Sequence, residues 1–106
     1  MALQVERTAD THLLRFGPEL NIFTVKEDFE ALQCLQHEAI SKLMLDLSEI
    51  GDFDSAGLQL LLWIRAHLPT TQPIQWLGLD NEVISKVTRL FRLSLSQDND
   101  LPSKEL

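Results

Sequence analysis

Residues 52–58 read DFDSAGL, and they gather two carboxylates, a hydroxyl and a glycine immediately ahead of a leucine-rich run. A serine at such a point has two possible uses. Where a helix begins, its oxygen can accept a hydrogen bond from a first-turn amide, stabilising the helix by about 1 kcal/mol relative to alanine. Alternatively, Ser55 can accept a phosphoryl group, which adds about −1.5 to −2 charge beside Asp52 and Asp54. A helix N-terminus favours an anion by about 0.3 to 1 kcal/mol while the two carboxylates repel it. Modification there is expected to leave the fold in place and change the contact surface. Asp54 either orients the hydroxyl and helps it lose its proton, or forms a turn by accepting hydrogen bonds from nearby amides. Gly57, in the first turn, costs up to about 1 kcal/mol relative to alanine. It therefore implies a close backbone approach, made either by the adjacent strand or by a partner.

Projected along a helix at about 100° per residue, Ser55, Gln59, Leu62, Trp63 and Ala66 share one side, away from Leu61, Ile64 and Leu68. Trp63 is expected to be partly exposed, either as part of a Leu–Trp docking patch beside the serine or under a covering loop or tail. Asp46 interrupts an apolar stretch, and an unpaired buried carboxylate is costly. It is expected to accept hydrogen bonds from amides of the DFDSAGL loop and, secondarily, to position Ser55.

Catalysis finds little support. His12, His37 and His67 fall in different elements, read as surface residues, and the chain contains no HExxH, CxxC, GxSxG or phosphate-binding glycine loop. Asp46, Asp52 and Asp54 could in principle gather round a divalent cation, but solvated turn acids are the commoner outcome. No catalytic residue, metal or cofactor is expected.

Nine basic and sixteen acidic residues leave a formal charge of −7, which repels phosphate backbones and anionic headgroups, so neither nucleic acid nor a membrane surface is an expected partner. The longest apolar run, 60–64, is far short of the ~20 residues needed to span a bilayer. With one cysteine, Cys34, and no apolar stretch after Met1, a cytoplasmic location is expected, with Cys34 as a small buried hydrophobe. Self-association is left open.

The elements that must position the serine follow from periodicity and punctuation. Residues 3–7 and 12–16 read as strands around the turn-prone stretch 8–11, an antiparallel opening pair. Thr24 and Glu27 have capping-box spacing, so a helix is expected over about 25–40 with Val25, Phe29, Leu32, Leu35 and Ala39 inward. Residues 43–47 and 74–78 are apolar runs suited to parallel strands, and between them lies a helix with Leu58, Leu61, Ile64 and Leu68 inward, stopped by Pro69. Asp80 or Asn81 caps a third helix with Val83, Ile84, Val87, Leu90 and Phe91 inward. A short edge strand near 93–95 is a further possibility, and the end frays. The 106 residues suit one domain over 1–96 with a polar tail at 97–106, and the fold class is α/β. In such sheets, binding sites gather at the carboxyl ends of parallel strands, where DFDSAGL lies.

The stretch LDLSEIGDFDSAGLQLLL, taken with FGPEL before it and EVISKVTRLFRL after it, resembles the STAS domain family, named for sulfate transporters and anti-sigma factor antagonists. The resemblance covers nearly the whole chain. It implies a STAS-like mixed sheet of four to five strands flanked by about three helices, and a phosphorylation-controlled binding protein in bacterial partner-switching signalling. Asp54 matches the family's signature aspartate, Ser55 its phosphoryl acceptor and Asp46 its strand Asp/Asn. Asn21 stands among the implied partner contacts where the family often has an acidic residue, and the family's last helix has no counterpart here. The implied partners are a serine kinase or other anti-sigma-like switch protein, and a phosphatase. The alternative is a structural subunit, similar to the small STAS component of bacterial phospholipid ABC transporters, that braces an ATPase without being phosphorylated.

Overall fold

Burial alternates along two strands of the chain's first half, THLLR at 11–15 and KLMLD at 42–46, and each places one row of side chains in the core. The computed structural model describes residues 3–68, 70–93 and 95. In chain order the elements are β1 (Gln4–Arg7), β2 (Thr11–Arg15), β3 (Glu19–Leu20), α1 (Val25–Leu35), β4 (Lys42–Asp46), β5 (Asp52–Phe53), α2 (Ser55–His67), β6 (Gln75–Leu77) and α3 (Glu82–Leu90).

Among the described residues the main sheet has four strands in the order β1-β2-β4-β6, with β1 antiparallel to β2 and the other two pairings parallel. This is the expected α/β layout of an opening antiparallel pair followed by parallel crossovers, with three helices. Leu14 on β2 and Leu43 and Leu45 on β4 are fully buried, as are Leu32, Leu61 and Ile64 on the helices. Burying each such side chain stabilises the fold by about 1.5–3 kcal/mol. Asn81 caps α3 by accepting from the Val83 amide, and its Nδ2 donates to the carbonyls of Leu47 and Ile50. The loop leaving β4 is thereby fixed to α3.

A second, two-stranded sheet pairs β3 with β5 in parallel, Glu19 opposite Asp52 and Leu20 opposite Phe53. It was not expected, and it stands directly before α2.

Several expectations are corrected. α1 stops at Leu35 because the amides of Gln36, His37 and Glu38 turn back to carbonyls three residues earlier. Glu38 is then held by Arg7 and His12, so Ala39 is exposed instead of lying on the helix's inner face. The Thr24–Glu27 capping box does not form. The Thr24 hydroxyl instead accepts from the Asn21 amide, and the Asn21 carbonyl accepts from the amides of Thr24 and Val25. Cys34 is exposed, on the solvent side of α1. Leu90 and Phe91, expected to face inward, are 78% and 52% exposed. α3 closes there because Arg92, at φ 55°, places the Leu93 amide on the Thr88 carbonyl and its own amide on that of Arg89. Leu90 lies about 120° round the helix from Ile84, the buried residue of α3, and Phe91 follows the last helical residue. Leu93 and Leu95 are not in a strand. The proposed stop at Pro69, the polar tail at 97–106 and its fraying lie outside the described residues.

Candidate functional site

The N-terminus of α2 is built from three segments: β5, the turn that joins β3 to α1, and the helix itself. Asp54, in extended conformation, is the N-cap. Its Oδ1 accepts from the Gly57 amide at 3.1 Å, and its Oδ2 accepts from the Ile22 amide at 3.0 Å. One carboxylate thus fastens the helix start to the neighbouring turn. Ser55, expected as the cap, is instead the first helical residue, because Asp54 already satisfies the orphan amide. The Ser55 side chain is exposed, and among the described residues its hydroxyl has no hydrogen-bond partner. Of the two readings of Asp54, the geometry shows the amide-bonded turn residue.

Gly57 faces β3 and β5. A Cβ at this position would overlap the Leu20 carbonyl oxygen and stand 2.9 Å from two ring carbons of Phe53. The close approach inferred from the glycine is therefore made by the chain's own backbone.

Asn21, expected as a partner contact, is only 5% exposed. Its Nδ2 donates to Asp52 Oδ2 at 2.8 Å, and its Oδ1 accepts from the Phe23 amide at 2.9 Å. It organises the surface from beneath. What it organises is the pair Ile22 and Phe23, which are 61% and 89% exposed on a backbone held by Asp54 and Asn21. Sequence reasoning passed over these two residues. The available signal was two adjacent large hydrophobes between Asn21 and Thr24, outside any helical or alternating pattern. The exposed carboxylates of Glu19 and Asp52 lie side by side on the adjoining strand pair.

The expected docking face of α2 divides in two. Gln59 and Trp63, with Ala56 and Leu60, line a groove of about 270 Å³ closed on its other side by Val25 and Phe29 of α1. Trp63 is half-buried: its ring meets Phe29 edge-on at 4.9 Å and stacks on His67 at 5.0 Å. Leu62 is half-buried and Ala66 exposed, both outside that lining.

Asp46 does not reach the DFDSAGL loop. Its Oδ1 accepts from the Ser48 amide and hydroxyl at 3.0 and 2.7 Å, and its Oδ2 from Arg15 Nε at 3.4 Å. Burial raises the affinity of this carboxyl for its proton, but the Ser48 and Arg15 hydrogen bonds outweigh burial and leave its pKa below the usual value. Its role is to close the turn after β4 and to pair with Arg15, which also holds Glu6 at 3.0 Å.

Further from this surface, the Arg7 guanidinium hydrogen-bonds Glu38 in bidentate fashion, and His12, expected at the surface but buried, hydrogen-bonds it as well. These contacts hold the Glu38 pKa down to about 2. Asp28 on α1 is fully buried with neither carboxylate oxygen hydrogen-bonded among the described residues. Burial, then the Glu27 carboxylate, push its pKa up. Among the described residues no group of three or more His, Cys, Asp or Glu side chains is placed to hold a metal ion, and no helix is long and apolar enough to cross a membrane.

Compared with known proteins, the chain matches no protein-family model and no curated protein sequence.

Proposed function

We propose that this chain is a phosphorylation-controlled protein-binding module, similar to the anti-sigma factor antagonists of the STAS family, with Ser55 as the phosphoryl acceptor. The carrying observation is the division of labour at the start of α2: Asp54 caps the helix, which leaves the Ser55 hydroxyl exposed and without a partner. A phosphate can be added there without removing a hydrogen bond from the fold. Placed beside Asp54 and close to the Ile22–Phe23 turn, it changes the charge of the surface that a partner would touch. The STAS-like signature around Asp54 and Ser55 supports the same reading. It implies a serine kinase or anti-sigma-like switch protein as partner, a phosphatase that resets it, and work in the bacterial cytoplasm.

A second reading, a structural STAS subunit bracing a transporter ATPase, draws on the α1–α2 groove, which presents Trp63 without involving Ser55. Pull-downs of a serine kinase or ATPase of the host with the native chain, Ser55→Ala and Ser55→Asp separate the two. The switch reading expects Ser55→Ala to bind and Ser55→Asp to release. Equal binding by all three favours the structural subunit.

A further inference from the structure

Two apolar features stand side by side on one face of this chain, one raised and one recessed. The raised one is the exposed Ile22–Phe23 turn. Its backbone is fixed by the Asp54 and Asn21 side chains, so little conformational freedom is lost when the phenyl ring is buried by another surface. The recessed one is the groove of about 270 Å³ between α1 and α2, with Val25 and Phe29 on one wall and Ala56, Leu60 and Trp63 on the other. The groove begins where the turn ends: Val25 is two residues after Phe23, and Ala56 is two residues after Asp54, whose carboxylate holds the Ile22 amide. Charge divides in the same way. Glu19, Asp52 and Asp54 lie on the segments that adjoin the turn. The one charged residue lining the groove is Lys26, which is exposed and, among the described residues, in no ion pair.

We infer that the chain forms a two-fold symmetric dimer through this face, with Phe23 of each copy seated in the α1–α2 groove of the other. The face itself specifies a second copy as the occupant. A knob beside a recess on one surface is what an isologous contact needs, since a two-fold axis fills both grooves at once and closes the assembly at two. The charges agree with it: seating each knob brings the carboxylates beside it towards Lys26 of the other copy, and this happens twice per dimer. The ring also meets aromatic walls, Phe29 and Trp63, which already pack edge-on at 4.9 Å. A net charge of −7 on every copy opposes approach. At about 0.15 M salt, however, the screening length is near 8 Å, so contact-range attraction survives while the long-range repulsion is damped. The dimer needs no modification of Ser55, so it stands or falls separately from the proposed phosphorylation.

Sedimentation velocity of the full chain over a micromolar to millimolar series tests this. The weight-average sedimentation coefficient is expected to rise from monomer to dimer and to stop there. Phe23→Asp is expected to weaken association by at least about tenfold, the effect of removing a central anchor. Lys26→Glu is expected to weaken it by about threefold or more, two rim charge pairs being lost. Lys86→Glu, an equal change of charge on α3 and outside the groove lining, is expected to dimerise like the native chain. All three sites are exposed, and circular dichroism verifies that each variant is folded. Of the two tryptophans, Trp63 and Trp76, only Trp63 is expected to show an indole N–H signal in NMR that shifts with concentration, and Phe23→Asp is expected to abolish that shift. A native chain that stays monomeric overturns the inference, as does growth beyond a dimer, a Trp63 signal that does not move as the dimer forms, or Phe23→Asp associating like the native chain. It is equally overturned if Lys26→Glu behaves as Lys86→Glu does. Association that appears only after removal of residues 96–106 also overturns it, by assigning the groove to that segment.

Discussion

Replacing Gly57 by alanine sets two effects of opposite sign against each other. Within a helix, alanine is favoured over glycine by up to about 1 kcal/mol, so propensity alone predicts stabilisation. Packing predicts the reverse. The new Cβ would overlap the Leu20 carbonyl oxygen, a backbone atom that has no rotamer to move to, and would crowd the Phe53 ring at 2.9 Å. Inserting a methyl group into a filled site costs about 1–3 kcal/mol, and a backbone obstacle places this case at the upper end. The net expectation is a loss of about 2 kcal/mol, or about 8–16 °C in Tm for a domain of this size. Urea unfolding followed by tryptophan fluorescence gives the same quantity, with the midpoint falling by about 1 M. Gly51→Ala is the control: a Cβ there would meet only the Pro18 carbonyl oxygen, at 3.8 Å, and stability is expected to change by no more than about 0.5 kcal/mol. A Gly57→Ala variant as stable as the native chain, or more so, would refute the claim that α2 is pressed against the β3–β5 pair.

Asp54→Ala removes both the cap and the hold on the Ile22 amide. A loss of about 1–2 kcal/mol in chemical denaturation is expected, with weaker amide-exchange protection at Gly57 and Ile22. Glu38 has its pKa lowered from 4.5 to about 2, so its contribution is present above 4.5 and disappears as pH falls through that interval. A Glu38→Gln variant should show less acid-dependent loss of stability there, measured by urea midpoints at successive pH values. For Asp28 the sign is opposite, because its folded pKa is raised and the stabilising protonated form is lost as pH rises. Asp28→Asn is expected to narrow the gap in urea midpoint between acid and neutral pH, with the gain on the neutral side.

The main sheet and its helices were legible because their signals are long: a strand-like stretch at 12–16 bounded by the turn-prone 8–11, an apolar run at 43–47 and the helical spacing of Leu58, Leu61 and Ile64 all contribute to a shared core. The β3–β5 pair was not legible, since two residues per strand carry no period and their pairing depends on where the ends of longer elements fall. At the start of α1, Thr24–Glu27 and Asn21 were competing local signals. Asn21 prevails because its side chain also reaches Asp52, a tertiary bond that sequence spacing does not show. Likewise Asp54 and Ser55 are both good caps, and what separates them is the Ile22 amide, thirty-two residues away along the chain. The inward assignment of Leu90 and Phe91 failed because α3 buries Ile84, and Leu90 lies about 120° round the helix from it while Phe91 follows the last helical residue. The location of the candidate site was legible, but the exposed Ile22–Phe23 pair, contributed by a distant turn, was not.

The central claim is that the Ser55 hydroxyl is free to be modified because Asp54 carries the structural role beside it. Intact-mass analysis with peptide mapping, after incubation with ATP and a serine kinase of the host, tests it most directly. One phosphoryl group on Ser55, absent from Ser55→Ala, on a chain whose circular dichroism is unchanged, is the result expected. No phosphate, phosphate at another residue, or loss of the fold on modification would contradict it.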